Sequence, residues 1–343
     1  MPSFAAKLTA WQKRHGRHDL PWQGTRDPYA IWVAEIMLQQ TQVATVIPYY
    51  ERFVRRFPDV HALARADLDE VLAAWSGLGY YSRARNLHRA AGVIAREYRG
   101  RFPRRFDEVM ALPGVGRSTA AAILVFAYGA RHAILDGNVK RVLARRFGVA
   151  GYPGEPRVAD RLWRRAERLL PRRNLETYTQ GLMDIGATVC TRGRPRCAAC
   201  PLRGDCVALR RGRVALLPTP RPRKSLPQKR TVMLALVRAG EVLLEKRPPA
   251  GIWGGLWCLP EAARKSGLAP YCLERFGARI SGIEALPGFA HGFTPFKLDI
   301  RPLRLRVSAL VAHAAEPGTV WLPLEEARGA AIPAPVRRIL AAL

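Results

Sequence analysis

Apolar residues recur three and four positions apart through the first two thirds of the chain. From Phe4 to about Leu209, and most regularly in VAEIMLQQTQVATVIPYYERFVRRF (33–57) and DEVLAAWSGLGYYSRARNLHRAAGVIAREY (69–98), this interval predicts one amphipathic helix after another. The pattern stops between Leu217 and Arg230, where PTPRPRKSLPQKR supplies prolines and positive charges with nothing to bury, which predicts a linker. Beyond it TVMLALVRAGEVLLEKRP reads as two strands around a turn at Ala239-Gly240, and LDIRPLRLRVSAL alternates as a strand. Short helices are expected near Tyr271–Phe276 and Pro335–Leu343. The expected organisation is multidomain: an all-α half (1–216), a linker (217–229) and an α+β half (230–343).

Length and charge sharpen this. At 343 residues the chain exceeds one common core, so two domains are the default. Lys and Arg total 56 against 27 Asp and Glu, and the +29 excess is spread along the chain rather than packed into a tail. Such a chain attracts polyanions, nucleic acid ahead of membrane surface. No stretch approaches the ~20 continuous apolar residues that span a bilayer, and the N-terminus lacks a signal-peptide layout. A soluble, cytoplasmic, nucleoid-associated protein is expected.

Three clusters carry candidate chemistry. Cys190, Cys197, Cys200 and Cys206 lie within one short basic loop, CTRGRPRCAACPLRGDC (190–206). Four thiolates so close in sequence converge on one place, and a metal centre makes their charge tolerable; spacing leaves zinc and an iron-sulfur cluster both open. Cys258 and Cys272 read as solitary thiols. In LPGVGRST (112–119), Gly114 and Gly116 bracket Val115, so one helix can end and another begin with bare amides, a phosphate seat to which Arg117 adds charge. This is a helix-hairpin-helix signature, and it positions a duplex without reading sequence. Asp136, just before Gly137, suits a helix cap as well as chemistry. Glu35 sits among Ile31, Trp32, Ile36 and Leu38, where desolvation would raise its pKa and let it act as a general acid. One protonated and one ionised carboxylate suit glycosidic bond cleavage through an oxocarbenium-like state.

The segments VAEIMLQQTQVATVIPYY, GLGYYSRARNLH, LPGVGRST and LDGNVKRVLAR, together with the cysteine loop, resemble the MutY family of A/G-specific adenine DNA glycosylases. The likeness runs from about Leu20 to Cys206 and continues more weakly through LLEKRPPAGIWGGLWCLPE. It implies a helix-hairpin-helix glycosylase domain with an iron-sulfur loop, followed by a Nudix-like domain. It further implies removal of adenine mispaired with 8-oxoguanine or guanine in double-stranded DNA, by a monomer that starts base excision repair. By this resemblance Glu35 matches the general acid, Asp136 the carboxylate that stabilises the sugar cation, and Asn138 a residue that orients the acid. Gln40 and Tyr80 match residues inserted where the base is flipped out. Leu112, Gly114, Val115, Gly116, Arg117, Ser118 and Lys140 match DNA contacts, and the four cysteines match ligands of a [4Fe-4S] cluster.

Endonuclease III, with the same fold, carries a lysine in the hairpin for Schiff-base chemistry. Ser118 stands in that place and cannot form an imine, so a monofunctional enzyme is expected. A working Nudix hydrolase needs several carboxylates on one helix, whereas APYCLERFGARI offers only Glu274, so recognition rather than pyrophosphatase activity is expected. The family's Phe-Ser-His turn, which reads the 8-oxoguanine strand, aligns with Phe293, Thr294 and Pro295. Thr294 keeps a hydroxyl, Pro295 removes an imidazole and an amide donor, and His291 stands two residues upstream of Phe293.

Overall fold

The computed structural model describes residues 2–222, 225–263, 266–311 and 318–343; residues 223 and 224 of the expected linker lie outside them. The α-helices through Arg210 are α1 (Phe4–His15), α2 (Pro28–Leu38), α3 (Val43–Arg56), α4 (Val60–Arg65), α5 (Leu68–Trp75), α6 (Ser82–Glu97), α7 (Phe106–Ala111), α8 (Arg117–Tyr128), α9 (Gly137–Phe147), α10 (Pro156–Arg168), α11 (Leu175–Asp184) and α12 (Val207–Arg210). Among the described residues no helix is long and apolar enough to cross a membrane.

The chain divides into two units, residues 1–65 with 86–223 and residues 66–85 with 224–343. In the first, α2 is apolar nearly all round, burying Tyr29, Ile31, Trp32, Val33, Ala34, Ile36 and Met37, so it sits in the interior and packs against α8. Asp27 caps it, accepting from the amides of Tyr29 (3.0 Å) and Ala30 (3.3 Å), and Pro28 fits the first turn. A second cluster gathers Leu8, Val139, Leu143, Leu162, Tyr178 and Leu182 from α1, α9, α10 and α11. After α11 the chain continues through a π-helical turn, Ile185–Val189, into the cysteine loop.

The second unit is built on a sheet of β1 (Gln228–Arg238), β2 (Glu241–Lys246), β3 (Trp257–Cys258), β4 (Glu261–Ala262), β5 (Ala278–Ala285), β6 (Phe289–Gly292), β7 (Lys297–Leu310) and β8 (Thr319–Pro323), with α13 (Leu268–Phe276), α14 (Leu324–Gly329) and α15 (Ala334–Leu340). Its main path runs β3-β2-β1-β7-β5, with β4 on β1, β6 on β7 and β8 on β2. The long central pair β1 and β7 is parallel, with Thr231 opposite Ile300 and Leu236 opposite Leu305. Val232, Leu234, Leu236, Leu303 and Leu305 close the core against Leu268 and Cys272 of α13.

Residues 66–85, which the hydropathy pattern runs on with the helical half, gather instead with the C-terminal unit. The Lys246 ammonium pairs with the Asp69 carboxylate, which also accepts from Trp257 Nε1 at 3.2 Å. Ser76 Oγ donates to the Ile332 carbonyl (2.7 Å) and accepts from Arg337 Nη2 (2.8 Å). Periodicity tells which face of a helix is buried but not which partner covers it. At the other boundary Leu217 and Thr219, read as linker, are held by the helical unit: Arg145 Nε donates to the Leu217 carbonyl (2.8 Å) and the Gly151 amide to Thr219 Oγ1 (3.1 Å).

Candidate functional site

A cleft of about 480 Å³ opens in the helical unit, walled by Leu20, Trp22, Ile31, Leu38, Phe126 and Met183. Glu35, the one charged residue of α2, lines it together with Gln12, Gln23 and Gln180, and Lys13, Arg17, His18, Arg26 and Glu176 also line it. A concave site that combines apolar walls with converging polar groups is the general form of a small-ligand site. Burial pushes the Glu35 carboxyl up to about 8, and the negative charge of Asp136 adds to the effect.

Asp136 is the N-cap of α9: its Oδ1 accepts the Val139 amide at 2.7 Å. Burial raises its pKa too, opposed by the Val139 amide, Arg141, the Asn138 amide and Lys140. The cap reading and the catalytic reading therefore describe the same carboxylate, because bonds that cap the helix also favour the charged form. Asn138 is held from two sides. Its Oδ1 accepts from Arg141 Nη2 (2.8 Å), and a Cβ at Gly186 would lie 2.6 Å from its own Cβ, so the π-helical turn can approach only as glycine.

The hairpin forms between α7 and α8. Gly114 has φ +79°, a conformation that favours glycine, and no side chain caps α8, whose first amides start from Gly116. Nothing lies within 4 Å of where a Gly116 Cβ would stand. Leu112 and Val115 are buried, so their side chains hold the turn and the hairpin offers backbone. Arg117 donates to Glu167 Oε1 at 2.5 Å and stacks 4.0 Å from the Trp163 ring. Ser118 Oγ accepts the Leu135 amide at 3.0 Å, and Lys140 lies where its charge lowers the Asp136 pKa.

Gln40 and Tyr80 belong to different units, and each has a left-handed backbone, φ 59° and 50°. Non-glycine residues avoid this region unless the surroundings over-determine it, and such strain concentrates at functional tips. Tyr80 is also 48 % exposed, unusual for so large an aromatic residue. Arg83 supports its loop, donating to the carbonyls of Gly79 (3.1 Å) and Leu78 (3.4 Å) beneath the Tyr80 ring, 5.4 Å away.

The four loop cysteines are unbridged and line one small apolar cavity with Val189, Pro195, Leu209 and Val214. Burial pushes the Cys200 thiol up to about 11, and the charges of Cys190, Cys206 and Cys197 add to this, so four thiolates here need a cation to coexist. Among the described residues no three His, Cys, Asp or Glu close to the spacing of a single metal ion. Thiols set around one cavity are the donor set of a thiolate-bound metal centre.

Sequence reasoning missed two arginines behind this loop. Arg141 Nε donates to the Cys190 carbonyl (2.7 Å) while its Nη2 also reaches the Gly186 carbonyl (2.7 Å). Arg145, only 3 % exposed, donates to the carbonyls of Leu217, Thr191 and Arg192, and its Nη1 stands 3.4 Å from Cys190 Sγ. Their four-residue spacing on α9 was the available signal.

In the second unit β6 and the start of β7 frame the turn carrying the expected lesion-reading residues, closed by the Phe293 amide on the Phe296 carbonyl (2.8 Å). His291 meets Phe293 edge-on at 4.8 Å, and burial lowers its pKa. Thr294 and Pro295 are exposed.

Residues 33–168 match the HhH-GPD superfamily of base excision DNA repair proteins, and residues 231–342 match the NUDIX domain. The adenine DNA glycosylase of Buchnera aphidicola subsp. Acyrthosiphon pisum is 36% identical, over 98% of this chain and 96% of that protein. The adenine DNA glycosylase of Mus musculus is 33% identical, over 98% of this chain and 77% of its own length. Among solved structures, a thermostable thymine-DNA glycosylase superposes with a TM-score of 0.56 at 31% identity, covering 61% of this chain and 95% of its own.

Proposed function

The chain belongs to the adenine DNA glycosylase family, a family of DNA-binding base excision repair enzymes, and from that premise we propose that it removes adenine paired with 8-oxoguanine or guanine, using Glu35 and Asp136. The observation that carries this reading is a carboxyl on the apolar helix α2 that lines the cleft, with burial pushing its pKa up to about 8.

The flipped adenine occupies the cleft. Glu35 donates its proton to a ring nitrogen of the base, and the glycosidic bond breaks with its electron pair leaving on adenine. A neutral base is a far better leaving group than an adenine anion. The sugar is left as an oxocarbenium ion, and Asp136, ionised with its position fixed by the Val139 amide, stabilises it. Water then adds to the sugar carbon and returns a proton to Glu35. Asn138, held by Arg141, orients this pair. Tyr80 and Gln40 fill the gap left by the flipped nucleotide, offsetting a few kcal/mol of lost stacking and pairing. With Ser118 in the hairpin and no amine there, the reaction ends at the abasic site.

A [4Fe-4S] cluster held by Cys190, Cys197, Cys200 and Cys206 would cross-link the 190–206 loop, whose Arg192, Arg194, Arg196 and Arg203 are exposed toward a polyanion. The hairpin amides and this loop account for DNA binding without sequence preference. The turn at His291, Phe293 and Thr294 is assigned to the opposite base.

The test is a set of duplexes carrying A opposite 8-oxoguanine, A opposite G, thymine glycol, or T opposite G, incubated under single-turnover conditions and then cleaved with alkali. Breaks at adenine alone are expected. Breaks at T opposite G would favour the thymine-directed reading that the structural likeness suggests.

A further inference from the structure

Within the second unit, one continuous set of contacts runs from the turn assigned to the opposite base to the tip assigned to the gap. Phe293 stacks on Phe296 with ring centroids 4.7 Å apart, and Trp253 packs on both Phe293 (5.4 Å) and His291 (6.1 Å). Trp253 is 8 % exposed and has φ 55°, the left-handed region again, in a loop where Gly251 and Gly255 share that conformation. The next residue, Gly254, leaves the loop no slack. A Cβ there would stand 2.4 Å from the Pro249 carbonyl oxygen.

The Gly254 carbonyl accepts from Arg85 Nη1 at 2.6 Å. Arg85 stands in the first turn of α6, its amide bonded to the Tyr81 carbonyl (3.1 Å), and the Arg83 amide bonds to the carbonyl of Tyr80 (2.9 Å). Moving the loop at Gly254 therefore moves the helix start from which Tyr80 projects. Asp69, Ser76 and the Tyr81 hydroxyl, bound to Lys246 and Ile332, and Trp75 Nε1 on the Gly79 carbonyl (3.1 Å) fix the rest of the segment, so Tyr80 is placed by the same frame that the glycine loop joins.

We propose that Trp253 and Arg85 are positioning residues that couple the base seated against Phe293 and His291 to the placement of Tyr80, so that adenine removal becomes conditional on the base opposite. The inference rests on the adenine reading given above. Pro295 leaves the Thr294 hydroxyl as the side-chain donor at the turn, so the ring contacts of Phe293 and His291 carry the rest of the information. A coupling of this kind requires different contacts in the two states, and the Trp253 ring, which touches both His291 and Phe293 from the glycine loop, is the group whose contacts would differ.

The experiment is a double-mutant cycle on the full-length protein. Trp253→Gly removes the ring while suiting the left-handed backbone, and Arg85→Met removes the donor while keeping the stem. Single-turnover adenine release is measured opposite 8-oxoguanine and opposite G, and 2-aminopurine beside the adenine reports unstacking. Each single variant is expected to lower the ratio of the two rates about tenfold, with the rate opposite G held within about twofold and the 2-aminopurine signal reduced. The double variant should be no worse than either single. An unchanged ratio in both single variants, full multiplication of their effects, or a wild-type ratio near one overturns the coupling. Wild-type protein that releases no adenine at all would overturn the earlier reading instead.

Discussion

The charge of Asp136 adds to burial in holding the proton of Glu35, whose carboxyl is pushed up to about 8. On the proposed reading, their surroundings set two carboxyls to different tasks, one hydrogen-bonded as a helix cap and one on the apolar helix α2.

Adenine release should follow the protonated fraction of Glu35. The single-turnover rate is expected to fall as pH rises through about 8. Asp136→Asn should move that fall to lower pH while slowing release at every pH. A pH-rate profile of both proteins checks this, and an unshifted profile would detach the two carboxyls from each other.

Losing the same proton costs stability. Folding raises the Glu35 pKa from 4.5 to about 8, so the native state binds the proton more tightly than the unfolded chain. Its contribution is fully present below pH 4.5 and is lost as pH rises through about 8, a difference worth up to about 5 kcal/mol. Glu35→Gln should therefore melt higher than the parent at pH 8, with the gap closing toward pH 5. Calorimetry at the two pH values measures it.

Arg145 should matter out of proportion to its place outside the cleft. Replacing it by Met would leave the carbonyls of Leu217, Thr191 and Arg192 without their buried donor, at a cost of about 3 kcal/mol or more. Denaturant unfolding is expected to show that loss, and visible absorbance to show a cluster more readily lost on dialysis. Unchanged values of both would remove Arg145 from the support of the loop.

Ser118→Lys should convert part of the activity. An amine in the hairpin can attack the sugar carbon, so borohydride should trap a protein–DNA adduct with the variant and none with the parent. A strong adduct with the parent protein, lost in Lys140→Ala, would assign lyase chemistry to Lys140.

Much of this site was legible in the sequence because its demands are local. Glu35 stands out on an otherwise uncharged apolar helix, the hairpin needs its glycines at fixed offsets, and the cysteines declare themselves by spacing. Other parts depend on distant partners. The sequence shows the charge that Arg117 adds to the hairpin but not its pairing with Glu167, fifty residues on. Arg141 and Arg145 offer only their four-residue spacing, a weak signal in a chain so rich in arginine, and burial is what distinguishes Arg145. Residues 66–85 read as more of the helical half because a helix has the same period whichever unit covers it. Strand β5 escaped notice because most of its residues are exposed or glycine, which erases the alternation.

The most direct measurement is Glu35→Gln assayed on a duplex with adenine opposite 8-oxoguanine, for binding and for base release in the same preparation. Binding is expected within about threefold of the parent and release lower by about a thousandfold or more. Release at the parental rate would contradict the account, since the acid on which it depends would then be doing no chemistry.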